Sequence, residues 1–295
     1  MTNLHTSQIA ALRAAIAGRV LQPEDEGYEP ARQIWNAMID RRPALIVQCG
    51  GTDDVALALR FARQHGLEVS VRGGGHNIAG HSVSDGGLMI DLSGLRAVEV
   101  SPARRRAFVQ PGATLADLDA ATQRHGLATP VGINSTTGVA GLTLGGGFGW
   151  LTRQHGMTVD NLLSAEVVTA EGARVRASAD ENADLFWGLR GGGGNFGIVT
   201  SFEFQLHPVG PEIYAGLIVY PLEQGTEVLR GWRAFAETAP ESVSAWIVVR
   251  HAPPLPFLPQ GSHGRKVVVL AVACTAPAAQ REALVAPLLQ LGKPY

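Results

Sequence analysis

Glycine placement constrains this chain more than any other feature. Many of its 36 glycines fall in three blocks: Gly73-Gly74-Gly75, residues 132–149 and residues 191–197. Residues without Cβ let the backbone approach a ligand closely and form concave surfaces lined by N–H groups. At the first block an extended apolar run, residues 68–72, stops at three glycines and delivers His76 onto a loop. The second block has no charged residue, yet Val139, Leu142, Leu144, Phe148 and the adjoining Trp150 make it too apolar for a flexible linker. Such a run is expected to lie against a ligand. The third block follows a helical stretch and precedes a strand.

The segments between these blocks supply a frame. Ile9, Leu12 and Ile16 recur at helical spacing over residues 6–18. A polar connector from Pro23 to Pro30 leads to an expected short helix around Trp35 and Met38. Residues 44–49 read as a buried strand. A helix follows, with Thr52 as its expected N-cap, Asp53 and Asp54 in its first turn, and Gly66 as its stop. With the strand at 68–72 this makes a βαβ-like unit. Short strands are expected at 88–92, 97–100 and 106–110, then a helix capped by Thr114. A hairpin turning at Glu171-Gly172, a helix at 180–190 and a strand at 197–206 complete the first part. After Pro208 and Pro211 the pattern changes to strand, helix, strand, a proline-rich loop, strand (266–273) and helix (278–291), an antiparallel sheet with helices on one face.

Composition excludes several functions. A net charge of −2 with 17% charged residues leaves no basic footprint for nucleic acid or an anionic membrane. No apolar run is long enough to span a bilayer, and residues 1–20 lack the apolar core of a secretory signal. Cys49 and Cys274 lie far apart in apolar surroundings and read as buried thiols of a cytoplasmic protein.

The motifs exclude others. Residues 75–82 have the spacing of a phosphate-binding P-loop, but His81 stands where its lysine belongs, and the chain's two lysines, Lys266 and Lys293, lie far away. Residues 192–197 match G-x-G-x-x-G, but between helix and strand, the reverse of the dinucleotide fingerprint. His76 and His81 have no third metal ligand near them in sequence. Three glycine loops with one histidine suit a large, mainly uncharged cofactor carrying a diphosphate.

Val-Arg-Gly-Gly-Gly-His76-Asn, the Gly-Val-Ala-Gly-Leu-Thr-Leu-Gly-Gly-Gly-Phe-Gly run ending at Gly149, and Leu-Phe-Trp-Gly-Leu-Arg-Gly-Gly-Gly-Gly-Asn-Phe-Gly197 together resemble FAD-linked oxidases of the vanillyl-alcohol-oxidase/PCMH-type superfamily. The likeness is to the berberine-bridge-enzyme-like and 6-hydroxynicotine-oxidase-like branch, over residues 40–210. It implies an α+β chain: an N-terminal helical segment (1–39), a PCMH-type FAD-binding domain of two α/β subdomains (40–210), and an incomplete antiparallel substrate domain (211–295).

In that family the histidine after the Arg-x-Gly-Gly loop carries FAD covalently, which assigns the link to His76. Arg72, Gly73, Gly74, Gly75 and Asn77 would cradle the pyrophosphate, with His81 and Ser82 beside them. Thr136, Thr137, Gly138 and Gly141 would run along the flavin, and Gly197, Ile198 and Val199 would lie near the adenine half. Many relatives add a cysteinyl link from the segment before Gly138, but residues 133–137 hold no cysteine, which leaves a single link. The implied function is hydride transfer from a small organic substrate (sugar, amine, alcohol or phenol) to flavin N5, with O2 as the second substrate, and with no metal. The catalytic base stays unassigned; His155 and Tyr214 are not distinguished from core or surface residues. Family members usually continue for over a hundred further residues. The resemblance therefore also allows a truncated flavin-binding scaffold without turnover, with an exposed edge or apolar face around residues 267–272.

Overall fold

The computed structural model describes residues 4–295. The backbone divides into two compact units, one ending at Pro208 and the other spanning Val209–Tyr295. In the first unit, β1 (Arg19–Leu21), β2 (Leu45–Gln48), β3 (Val69–Arg72) and β4 (Leu88–Asp91) form a sheet in the order β1-β2-β4-β3. β4 runs parallel to β2 and β3, and β1 runs antiparallel to β2. Parallel neighbours need a covering crossover. Helix Thr52–Gln64 provides it, packing Val55, Ala58 and Ala62 on Leu45, Val47, Leu88 and Ile90. The alternate residues Ile46 and Met89 face Tyr28, Ala31 and Val83 on the other side. Both faces are dry, which explains the unbroken apolar runs of β2 and β4.

Residues before 40 are built into this unit, since β1 pairs with β2 and Ile9 and Leu12 share the core of Leu45 and Val55. The expected helix around Trp35 and Met38 is absent; a single turn lies earlier, at Tyr28–Arg32. The Trp35 N–H is instead taken by the Gly75 carbonyl at 3.1 Å, so a long-range contact overrides local helical spacing. Gly51, not Thr52, occupies the N-cap of the long helix. Its first turn is tied down by Asp54, whose buried carboxylate accepts from the N–H groups of Ala17, Gly18 and Gly50 at 2.8–2.9 Å.

The chain continues through β5 (Val98–Ser101), β6 (Arg106–Val109), β7 (Leu127–Ala128), β8 (Leu162–Val168), β9 (Arg174–Ser178), β10 (Ile198–Gln205) and β11 (His207–Pro208). Five of these form an antiparallel sheet ordered β5-β6-β10-β8-β9, while β7 and β11 pair separately. Phe202 and Phe204 of β10 are fully buried against Leu115 and Leu118 of helix Leu115–Gln123. That helix starts with the expected Thr114 cap, and Asp117 reaches back to the Thr114 N–H at 2.7 Å.

The second unit holds β12 (Tyr214–Pro221), β13 (Val243–His251) and β14 (Lys266–Cys274) in the order β12-β14-β13. The expectation of an exposed edge at 267–272 is overturned. Although last in sequence, β14 is the central strand and pairs antiparallel with a neighbour on each side. Val268, Leu270, Val272 and Cys274 lie under helices Gly225–Thr238 and Ala278–Leu289, with Val228, Val285 and Leu288 in the same cluster. On the opposite face Val267 and Val269 pack with Val219, Ala252 and Leu258. Among the described residues no helix is long and apolar enough to cross a membrane.

Candidate functional site

β3 ends at Arg72, and the chain leaves the sheet through Gly73-Gly74-Gly75. A side chain at Gly74 would strike the backbone of Gly138, and a Cβ at Gly138 would stand 2.5 Å from the Gly74 nitrogen. The first and second glycine blocks therefore touch backbone to backbone. Gly75 then takes φ +68°, a left-handed turn that costs any residue with a Cβ about 1–2 kcal/mol, and brings out His76. Among the described residues the N–H groups of Gly74, Gly75, His76 and Asn77 have no backbone acceptor.

Beside this turn lies a cavity of about 810 Å³. Of the residues singled out in the sequence, Gly73, Gly74, Gly75, His76, Asn77, His81, Ser82, Thr137, Gly138, Gly141, Gly197, Ile198 and Val199 line it. Its walls also include Val69, Ala140, Leu142 and Leu144. No Asp, Glu, Lys or Arg is among the lining residues; His76 and His81 are the titratable ones. The Ser82 hydroxyl is buried in this wall and has no hydrogen-bond partner among the described residues. The backbone at Gly141, Gly193 and Gly194 has nothing within 4 Å of where a Cβ would stand. A cavity of this volume with backbone donors, one orphan hydroxyl and apolar walls fits a planar ring system joined to a diphosphate. No group of three or more His, Cys, Asp or Glu suited to a metal ion occurs among the described residues.

Two of the expected residues lie outside the lining. Arg72 turns to Asp91, donating from Nε at 3.0 Å and Nη2 at 2.5 Å, and gives Nη1 to the Gln33 carbonyl at 2.9 Å. It braces the loop from behind. Burial alone would raise the Asp91 pKa, but the hydrogen bond and charge of Arg72, with Ser93, hold it below the ordinary carboxylate value. Thr136 stands at the His76 ring, its Oγ1 3.1 Å from Nε2.

Trp35 completes the histidine's surroundings, stacking on its ring at 5.3 Å between centroids and 23° between planes. Burial lowers the His76 pKa, opposed by a hydrogen bond with the Thr136 backbone, so the ring is neutral near pH 7. Sequence reasoning missed Trp35, because only the fold brings residues 35 and 76 together. It also missed Asn134, whose Oδ1 accepts from Thr136 Oγ1 at 2.9 Å. His155 is outside the cavity lining and stacks face to face with His207 at 3.9 Å. Tyr214 belongs to the second unit. Cys49 and Cys274 are both free and buried, and burial pushes the Cys49 thiol up to about 12.

Residues 43–178 match the family described as FAD binding domain. The chain is 40% identical over 206 residues to the (R)-6-hydroxynicotine oxidase of Paenarthrobacter nicotinovorans, an alignment covering 70% of this chain and 45% of that protein. It superposes on the crystal structure of 6-hydroxy-D-nicotine oxidase from Arthrobacter nicotinovorans with a TM-score of 0.87 and 32% identity, covering 99% of this chain and 62% of the other. It also superposes on the glucooligosaccharide oxidase of Acremonium strictum, a protein with 6-S-cysteinyl, 8α-N1-histidyl FAD. There the TM-score is 0.83 and the identity 29%, with coverage of 97% and 58%. The chain spans about half the length of the curated relatives it matches. With the glycine-built cavity, these likenesses identify the chain as carrying the FAD-binding domain of the vanillyl-alcohol-oxidase/PCMH-type FAD-linked oxidases.

Proposed function

We propose that the protein is an FAD-dependent oxidoreductase whose cofactor is bonded once, through His76. The observation that carries this reading is the position of His76. It is a neutral imidazole on the wall of the cavity, held between the Trp35 face and the Thr136 hydroxyl. Bound FAD would supply the two-electron chemistry, taking a hydride at N5 from a small organic substrate and returning electrons to O2 as H2O2. The chain's own residues bind and orient it. Backbone N–H groups of residues 74–77 and the Ser82 hydroxyl offer donors to a diphosphate, while Val69, Leu142 and Leu144 exclude water from a flat ring system. Asn134 stands in the segment that holds a cysteine in many relatives, which supports one link rather than two.

The substrates named for the relatives, a hydroxynicotine and an oligosaccharide, make amines and sugars the first classes to test. Two buried free thiols fit a reducing, cytoplasmic setting. Mixing the FAD-loaded chain anaerobically with cyclic amines and oligosaccharides should bleach the flavin band with at least one of them. A flavin that stays oxidised across such a panel would leave a binding domain without turnover and contradict the oxidoreductase reading.

A further inference from the structure

Beside His76 the structure holds a short polar chain whose proton positions can be worked out atom by atom. Two groups meet Asn134 Oδ1: the Thr136 backbone N–H at 3.2 Å and Thr136 Oγ1 at 2.9 Å. A backbone N–H can only donate, so the Asn134 atom facing it is the carbonyl oxygen and not the amide nitrogen. The hydroxyl has one proton and two polar neighbours, Asn134 Oδ1 and His76 Nε2, the latter at 3.1 Å. An oxygen cannot give a proton to the hydroxyl, whereas an imidazole N–H can. The arrangement that satisfies every atom has the hydroxyl donating to Asn134 and accepting from Nε2–H.

We propose that Asn134 and Thr136 are positioning residues that fix the tautomer of His76, putting its proton on Nε2 and leaving the lone pair on Nδ1. This rests on the reading of His76 as the attachment point. There it determines which ring nitrogen is the nucleophile before FAD is bonded. In the bonding step the N–C bond to the 8α carbon forms, and one methyl C–H and the ring N–H break. O2 takes the electron pair and both protons as H2O2. Thr136 Oγ1 holds the proton on Nε2 by accepting its hydrogen bond until Nδ1 has bonded, after which the ring loses that proton to solvent.

The tautomer can be read without any turnover. Flavin-free protein, made with 15N-histidine in a riboflavin-deprived host, is examined by two-bond 1H–15N correlation at about pH 8, where histidine is neutral. His76→Gln identifies the signals. The wild type is expected to show the Nε2–H form in excess, and Thr136→Ser to keep that excess. Asn134→Ala frees the Thr136 hydroxyl to donate to Nε2 and should move the ratio toward Nδ1–H by about five-fold, the weight of one ordinary hydrogen bond. Thr136→Val removes the acceptor from Nε2–H and should erode the excess as well. The initial rate at which FAD becomes acid-precipitable should fall about five-fold in Asn134→Ala. An Nδ1–H wild type, or an Asn134→Ala ratio equal to wild type, overturns the proposal. A wild type that shows the expected tautomer but releases all its FAD in acid overturns the attachment reading alone.

Discussion

Gly74 and Gly138, 64 positions apart in sequence, lie backbone against backbone: a Cβ on Gly138 would come within 2.5 Å of the Gly74 nitrogen. This contact joins the loop that carries His76 to the segment that carries Thr136. It is what sets those two side chains at hydrogen-bond distance.

Gly74→Ala is therefore expected to act on the site through the backbone. The added methyl has no flexible side chain to push aside, so the loops must separate. The cost should be about 1–3 kcal/mol, as for other overpacked positions. Urea denaturation measures it, and FAD retention on gel filtration should fall in parallel. An alanine variant of wild-type stability with full FAD retention would show that the loops are not pinned there.

The Arg72–Asp91 pair should give the unit its acid sensitivity. Asp91 is 1% exposed and its folded-state pKa is depressed. A depressed carboxylate stabilises the fold above its unfolded pKa of about 3.9, and that contribution is lost as pH falls through the folded value. Asp91→Asn strands the half-buried guanidinium and should cost about 3 kcal/mol at pH 7. In thermal melts the gap between wild type and variant should narrow below about pH 4; a gap independent of pH would contradict the pairing.

The stacked histidines predict a second pH effect at higher pH. Burial, then the neighbouring charges of His155 and Arg105, lower the His207 pKa. Its Nε2–H donates to Asn161 Oδ1 at 2.6 Å, since the Asn161 amide nitrogen is already given to the His155 and Met157 carbonyls. A lowered histidine stays neutral in the fold while the unfolded chain takes up a proton, so stability drops as pH falls below about 6.5. His207→Phe keeps an aromatic face but no titration. Its melting temperature should be lower at pH 7 and vary less between about pH 5 and 7; an unchanged slope would rule out His207 as the source.

The parts that could be read in advance are those where one residue type answers a local demand. Thr114 capped its helix, Glu171-Gly172 made the hairpin turn, and the glycines after Arg72 ended β3 and presented His76. Features set by distant partners could not be read. The insertion of β14 between β12 and β13 depends on pairing order, which periodicity within a strand does not encode. Arg72 belongs by sequence to the anion cradle, but Asp91 on the neighbouring strand claims its guanidinium. Trp35 and Asn134 act on His76 from 41 and 58 positions away, and nothing in their own segments marks them.

The covalent flavin is tested most directly by the intact mass of the protein purified from riboflavin-replete cells, alongside His76→Ala. The wild type should weigh more than the bare chain by one FAD less two hydrogens and give a yellow acid pellet. His76→Ala should have the bare-chain mass and leave any flavin in the supernatant. A wild type at bare-chain mass that nonetheless binds FAD, or a His76→Ala variant that still carries the added mass, would contradict the assignment of His76.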